Sequence, residues 1–285
     1  MKRTLFDILE QKRKELGIEA NTDPSVDYAK KQVDYYNLTP GILHEKDGFN
    51  CAVCLNKGHL LFLDENGYQV MRECDCMSTR RTIRNMQRSG LESIIRDYTF
   101  EKFITTEDWQ KSIKQKALDF VKDYKNNWFF IGGQPGAGKT MLCTAICREL
   151  LLKGIKVKYM LWKEESTAIK ANITDSEYYR TLTNALKNTE VLYIDDFFKP
   201  IFDKGVMLPP TAADINLAFE ILDYRKNLNL TTIISSERFI QDIVAIDEAT
   251  GSRIVEKTTK KYLSNVTKDK SKNYRLKTLN ESQFI

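Results

Sequence analysis

The densest chemistry in the sequence lies in one short loop, Gly133-Gln134-Pro135-Gly136-Ala137-Gly138-Lys139-Thr140, which runs on into Met141. It satisfies the pattern G-x-x-x-x-G-K-[ST] at every fixed position, with an apolar run before it and a helical pattern after it. Glycines let the backbone curl so that consecutive N–H groups face one anion. The N-terminus of the following helix adds partial positive charge. Lys139 is placed to reach the outer phosphates of a nucleoside triphosphate such as ATP, and the Thr140 hydroxyl to bind magnesium. The alternative, a glycine-rich turn with an incidental lysine, does not account for the spacing and the strand-to-helix context together.

A second element, "VLYIDDFF" at residues 191–198, is an apolar strand that delivers Asp195 and Asp196 at its carboxyl end. Asp195 is expected to hold magnesium, directly or through water. Asp196 stands where a carboxylate orients and polarises an attacking water. Two surface acids ending a strand are the bland alternative. A third stretch, "TTIISSERF" at 231–239, ends in Ser235, Ser236 and Glu237, polar groups placed to sense a γ-phosphate or a water. An ordinary polar strand end is the other reading there.

Cysteines make a separate constellation. Cys51-x-x-Cys54 and Cys74-x-Cys76 bracket "HLLFLDENGYQVMREC", an alternating stretch with a turn at Asp64 to Gly67. A hairpin of that kind brings two thiolate pairs together for one tetrahedral zinc. His59 is a substitute ligand or a surface histidine, and four unlinked thiols are the alternative. Such a small module has little core of its own, so the metal would hold it together. Cys143 and Cys147, four apart in the helix after the phosphate loop, read as core residues.

Basic and aromatic residues are less specific. Arg80, Arg84 and Arg88 share a helix face, with Arg81 beside them. Residues 257–277 hold Lys257, Lys260, Lys261, Lys268, Lys270, Lys272, Arg275 and Lys277 against only Asp269. Either patch can track a phosphate backbone or be a solvated face. Tyr98, Phe100 and Phe103 are positioned to flank an adenine or to pack helices.

The elements that must hold these groups follow from pattern. Leu5, Ile8, Leu9 and Leu16 recur at helical spacing, and Asn21 to Pro24 breaks that pattern. Helix resumes over 78–96 and again up to about Tyr124. Beyond it, strand candidates Trp128–Gly132, Val157–Trp162, Val191–Asp195, Thr231–Ser235 and Tyr274–Thr278 alternate with helical patterns at 139–153, 176–188 and 212–227. Alternation of this kind predicts an α/β fold, a parallel sheet with helices on both faces. The 157–162 strand falls in sequence between the two site-bearing strands, which is compatible with a strand inserted between them in the sheet. With 285 residues, 42% hydrophobic content and a charge of +5, the chain has a real core and is not disordered. No apolar run is long enough to span a bilayer, and the N-terminus lacks the features of a secretory signal, so a cytoplasmic protein is expected.

The order of phosphate loop, "YIDD", "TIISS" and "GSRIVEK" resembles the AAA+ ATPases of the bacterial helicase-loader family, DnaC/DnaI-like and including phage versions. The likeness covers roughly residues 97–278. It implies an ATPase domain over 97–285 behind a helical, zinc-binding helicase-interaction domain over 1–96. The chain stops ten residues after Arg275, which the resemblance makes an AAA+ domain without a C-terminal lid. In that family the arginine of the "SRI" segment is an arginine finger, which carries over to Arg253. An asparagine usual at the end of the sensor strand is replaced here by Glu237, with Ser236 the other candidate. The implied activity is hydrolysis of ATP to ADP and phosphate. Its implied partners are a replicative helicase, single-stranded DNA and further copies of the chain on activation. A transposition-helper ATPase is the nearest alternative, since its core motifs are almost the same. A P-loop small-molecule kinase and a non-hydrolysing ATP-binding module stand further off.

Overall fold

The computed structural model describes residues 24–86, 94–204 and 206–277. The apolar positions before Asn21 and the expected basic residue Arg88 lie outside the described residues. The chain divides into two compact units between Arg80 and Arg81.

In the first unit, helix Pro24–Leu38 is followed by the short helix Leu43–Asp47 and an antiparallel hairpin of β1 (His59–Leu63) and β2 (Gln69–Glu73). The turn forms at the expected residues. Asp64 accepts hydrogen bonds from the N–H groups of Asn66 and Tyr68 at 2.9 and 2.8 Å, and Gly67 adopts φ 81°. Asn37 docks the first helix on the hairpin: its side chain donates to Leu61 O at 2.8 Å and accepts from Leu61 N at 3.0 Å. Few apolar side chains are buried here, Val33 and Phe49 among them. Arg80, expected on a basic surface, is instead 1% exposed and donates to Asp47 at 2.5 Å and to Asn56 at 2.9 Å. A buried carboxylate and amide are what keep its charge inside.

The second unit contains β3 (Trp128–Gly133), β4 (Val157–Leu161), β5 (Val191–Asp195), β6 (Ile201–Asp203), β7 (Val206–Leu208), β8 (Thr231–Ser235) and β9 (Leu263–Val266). Five of these make one parallel sheet in the order β4-β5-β8-β3-β9, while β6 and β7 form a separate hairpin. β3, β5 and β8 are buried along their whole length, which is why they read as continuous apolar runs. Strand alternation then feeds both faces. Trp128 and Phe130 join Leu222, Ile221 and Ile254 of helices Ala212–Asn227 and Glu248–Lys257. Phe129 turns to the other face, where its ring lies 5.4 Å from Phe120 of helix Asp108–Lys122. Helix Lys139–Leu152 packs on that side too, with Cys143 and Cys147 fully buried.

A strand is inserted between the site-bearing strands β3 and β5, as expected: it is β8, while β4 lies at the edge. One expectation needs correction. The expected strand at 274–278 is not one where it is described: Tyr274–Lys277 is a helical turn, and the fifth strand is β9, paired from Phe130↔Leu263 to Gly133↔Val266. The polar run "LSNV" is masked in sequence because only alternate residues of this edge strand are buried. "YRLK" instead meets the phosphate loop, where Tyr274 N–H donates to Gly136 O at 3.0 Å.

Candidate functional site

Parallel strands all point their carboxyl ends to one edge, and the site collects there. β3 ends at Gly133 and the next helix begins at Lys139, so the loop between them is a tight strand-to-helix passage. Gly136 and Gly138 both have positive φ, 71° and 81°. At Gly136 the positive φ favours glycine, and an added Cβ would also have to push the Asn273 side chain aside. Lys139 is only 7% exposed and donates to the carbonyls of Gly133 and Gln134 at 2.9 and 2.7 Å. Burial lowers its pKa to about 8, against the pull of Glu237, Asp196 and Asp195. Ala137 is wholly buried, and Pro135 lies between Gln134 and the Gly136 turn.

β5 brings its acids to the same edge. Thr140 Oγ1 donates to Asp195 Oδ1 at 3.2 Å, Tyr159 donates to Asp195 Oδ2 at 3.2 Å, and Ser235 donates to Asp195 Oδ1. Burial raises the Asp195 pKa despite these donors. A hydroxyl and a buried carboxylate so close together are hard oxygen donors of the kind magnesium takes. Asp196 leaves the strand with φ 53° and Phe198 follows at φ 48°, two left-handed residues in a chain of L-amino acids. Packing and hydrogen bonds hold this loop in place. Phe197 and Phe198 stack at 4.1 Å, Ser236 Oγ donates to Phe197 O, and Arg238 Nε donates to Phe198 O, both at 2.7 Å. Asp196 then accepts an ion pair from Lys199 at 2.7 Å.

A cavity lies over the loop. Tyr98, Phe103, Ile104 and Met141 give it an apolar side, while Lys139, Thr140, Asp196 and Glu237 give it a polar one. That division matches a base at one end and phosphates at the other. Phe100 is buried and not part of the lining. Of the two sensor candidates, Glu237 lines the cavity, whereas Ser236 is fully buried, bonded to Phe197 O and to the N–H of Arg238. Arg253 lines nothing here. It pairs with Asp223 at 2.7 Å, donates to Ala249 O at 2.7 Å and lies 4.5 Å from the Phe219 ring centroid.

Several residues were missed in the sequence. Lys102, Tyr274 and Arg275 line the cavity, and Lys199 pairs with its acid. Only Lys199 left a signal, being three residues beyond Asp196; Arg275 was read as one member of a basic tract. The structure disperses that tract: Lys257 turns to Asn229, Lys261 to Asp123, Lys268 to the Phe239 ring and Lys272 to the Trp109 ring.

The four cysteines of the first unit converge. Their sulfurs lie within 4.8 Å of one another, with Cys51–Cys74 at 3.9 Å and Cys54–Cys76 at 3.5 Å. Zinc with four thiolates at ~2.3 Å requires sulfurs roughly 3.8 Å apart. Cys54, Cys74 and Cys76 are buried and Cys51 is half-buried. Burial pushes Cys74 and Cys76 up, while at Cys54 burial is outweighed by hydrogen bonds, first from Gly58 N–H, that bring it to about 7. The set fits zinc in number, spacing and chemistry, and His59 is not part of it. Asn56 buttresses the first pair, accepting from Cys51 N at 2.8 Å and from Arg80.

No helix among the described residues is long and apolar enough to cross a membrane. The chain is 32% identical to the phage-like element PBSX protein XkdC of Bacillus subtilis (strain 168), over 73% of this chain and 79% of that protein. It is also 32% identical to the replicative helicase loader DnaC of Escherichia coli (strain K12), over 44% of this chain and only 51% of DnaC. Among solved structures, a DnaC helicase loader superposes with TM-score 0.50 at 18% identity, covering 61% of this chain and 98% of that one. A DNA replication initiation factor superposes at 0.51 and 20% identity, over 64% and 53%. At such identities these two show a shared α/β fold. Residues 56–282 match the family described as IstB-like ATP binding protein, a span that takes in the phosphate loop, both acids and Arg253. The chain belongs to that ATP-binding family.

Proposed function

We propose that this protein is an ATP-hydrolysing loader of a replicative DNA helicase. The observation that carries the reading is one cavity lined by Lys139, Thr140 and Asp196, with Asp195 buried behind it and bonded to Thr140, in a chain related to XkdC and DnaC. The phosphate-loop N–H groups and Lys139 would hold the phosphates of ATP, with Tyr98 and Phe103 beside the base. Thr140 and Asp195 would hold magnesium, which supplies positive charge to the phosphate oxygens. Asp196 would orient the water and accept its proton as the water oxygen bonds to the γ-phosphorus. The bond from that phosphorus to the bridging oxygen breaks, its electron pair leaves with ADP, and the proton passes to the released phosphate. Glu237 would contact the same water or phosphate. Arg253, held on the surface of its own chain, would reach the site of a neighbouring copy. Residues 1–96 would form the zinc-stabilised adaptor that meets the helicase, 97–285 the ATPase that engages single-stranded DNA in the cytoplasm.

The test is a pull-down of purified protein with the replicative helicase, run beside ATP turnover with and without single-stranded DNA. Co-purification and DNA-stimulated turnover are expected. Stimulated turnover without helicase binding favours the transposition-helper reading. ATP binding without turnover favours a binding module, and phosphate transfer to a small molecule a kinase.

A further inference from the structure

Lys199 stands outside every motif, yet its ammonium reaches the hydrolytic end of the cavity. It lies 2.7 Å from Asp196 Oδ2 and 3.8 Å from a Glu237 oxygen. Burial disfavours its charge, but the hydrogen bond to Asp196 and the neighbouring carboxylates outweigh burial and raise its pKa. The lysine is therefore charged wherever the enzyme works. Its backbone is set by the left-handed residues Asp196 and Phe198 and by the bond from its own N–H to Asp196 O at 3.1 Å. Arg238, 3% exposed, bonds Phe198 O and, at 3.2 Å, Leu208 O, so the segment on which Lys199 rides is clamped at both feet of the β6–β7 hairpin. The backbone is thus held so that the lysine side chain starts within reach of Asp196.

An ammonium on Asp196 Oδ2 takes up an acceptor position on that oxygen that a water would otherwise use and holds the carboxylate in place. We propose that Lys199 is a positioning residue that holds Asp196 in a resting ion pair and keeps hydrolysis slow until the pair is broken. The proposal rests on the reading of Asp196 as the acid that polarises water. Lys199 is well placed to let go, being 43% exposed, and its other side opens on a second cleft lined by Lys163, Thr167 and Pro210.

The experiment compares wild type, Lys199→Met, Lys199→Arg, Asp196→Asn and the double variant Lys199→Met/Asp196→Asn. Turnover at saturating ATP and affinity for a fluorescent ATP analogue are both measured. Lys199→Met should raise kcat by roughly two- to fivefold, the rate equivalent of a half-exposed ion pair, with affinity unchanged. Lys199→Arg should restore the slow rate. Added salt should accelerate wild type more than Lys199→Met, because it screens the exposed pair. The double variant should be as slow as Asp196→Asn alone. An unchanged or reduced kcat in Lys199→Met, with affinity intact, overturns the proposal. Wild-type turnover in Asp196→Asn would instead overturn the underlying role of Asp196. If Lys199→Met fails to bind the analogue, Lys199→Gln is read in its place against the same outcomes.

Discussion

Thr140 and Asp195 are 55 residues apart in sequence, yet the threonine hydroxyl lies 3.2 Å from the aspartate oxygen. Ser235 and Tyr159 complete the shell around that carboxylate, so Asp195 is buried and held by hydroxyls alone among its side-chain donors. Asp195→Asn should keep the fold and lose the magnesium dependence of nucleotide binding. ATP affinity measured with and without magnesium checks it; a variant that still responds to magnesium as wild type does would show that the metal is held elsewhere.

Lys139 carries the pH dependence. Its pKa is lowered to about 8, so the ligand-free fold bears the cost of a buried ammonium below that pH and is relieved of it as pH rises toward 10.5. Bound phosphate has the opposite preference and favours the charged lysine. ATP affinity should thus be nearly constant below about pH 7 and fall by up to about tenfold per unit above about pH 8. Nucleotide titrations across that range test it. Lys139→Ala should abolish binding at every pH, and residual pH-dependent binding in that variant would assign the effect to another group.

Zinc should be present at about one per chain, held by Cys51, Cys54, Cys74 and Cys76. Replacing Cys51 and Cys54 by serine should release it and remove the order of residues 24–80, which have little buried apolar surface. ATP binding should survive, since every residue lining the nucleotide cavity lies beyond Arg81. Elemental analysis with circular dichroism reads the outcome. A metal-free preparation with the hairpin fully folded would rule the site out.

Arg253 is engaged with Asp223 and the Phe219 ring in its own chain, and lines no part of its own cavity. If it acts on a neighbour, Arg253→Ala and Lys139→Ala should each be inactive alone and regain some turnover when mixed, because an intact arginine can then face an intact phosphate loop. Arg253→Lys should not substitute, lacking the planar fork. No recovery in a mixture shown to co-assemble would exclude action in trans.

The sequence by itself determined whatever depends on fixed local spacing. The phosphate loop was legible because a strand, a glycine-rich turn and a helix are consecutive, and Asp195 and Asp196 because a fully buried strand must be apolar up to its last residues. The cysteine pairs were legible for the same reason: the hairpin that joins them is written between them. Tertiary structure decided what depends on distant segments. Strand β9 was missed because an edge strand needs little apolar sequence, and 274–277 was mistaken for a strand although its Leu276 is exposed and only its Tyr274 N–H meets the phosphate loop. Arg80 looked like surface charge until Asp47, 33 residues away, was seen to bury it. Ser236 and Glu237 are adjacent and equally polar; only the crossing of β8 between β3 and β5 sends one into the protein and the other into the cavity. Periodicity reports which face a residue occupies, but the order of strands determines what that face meets.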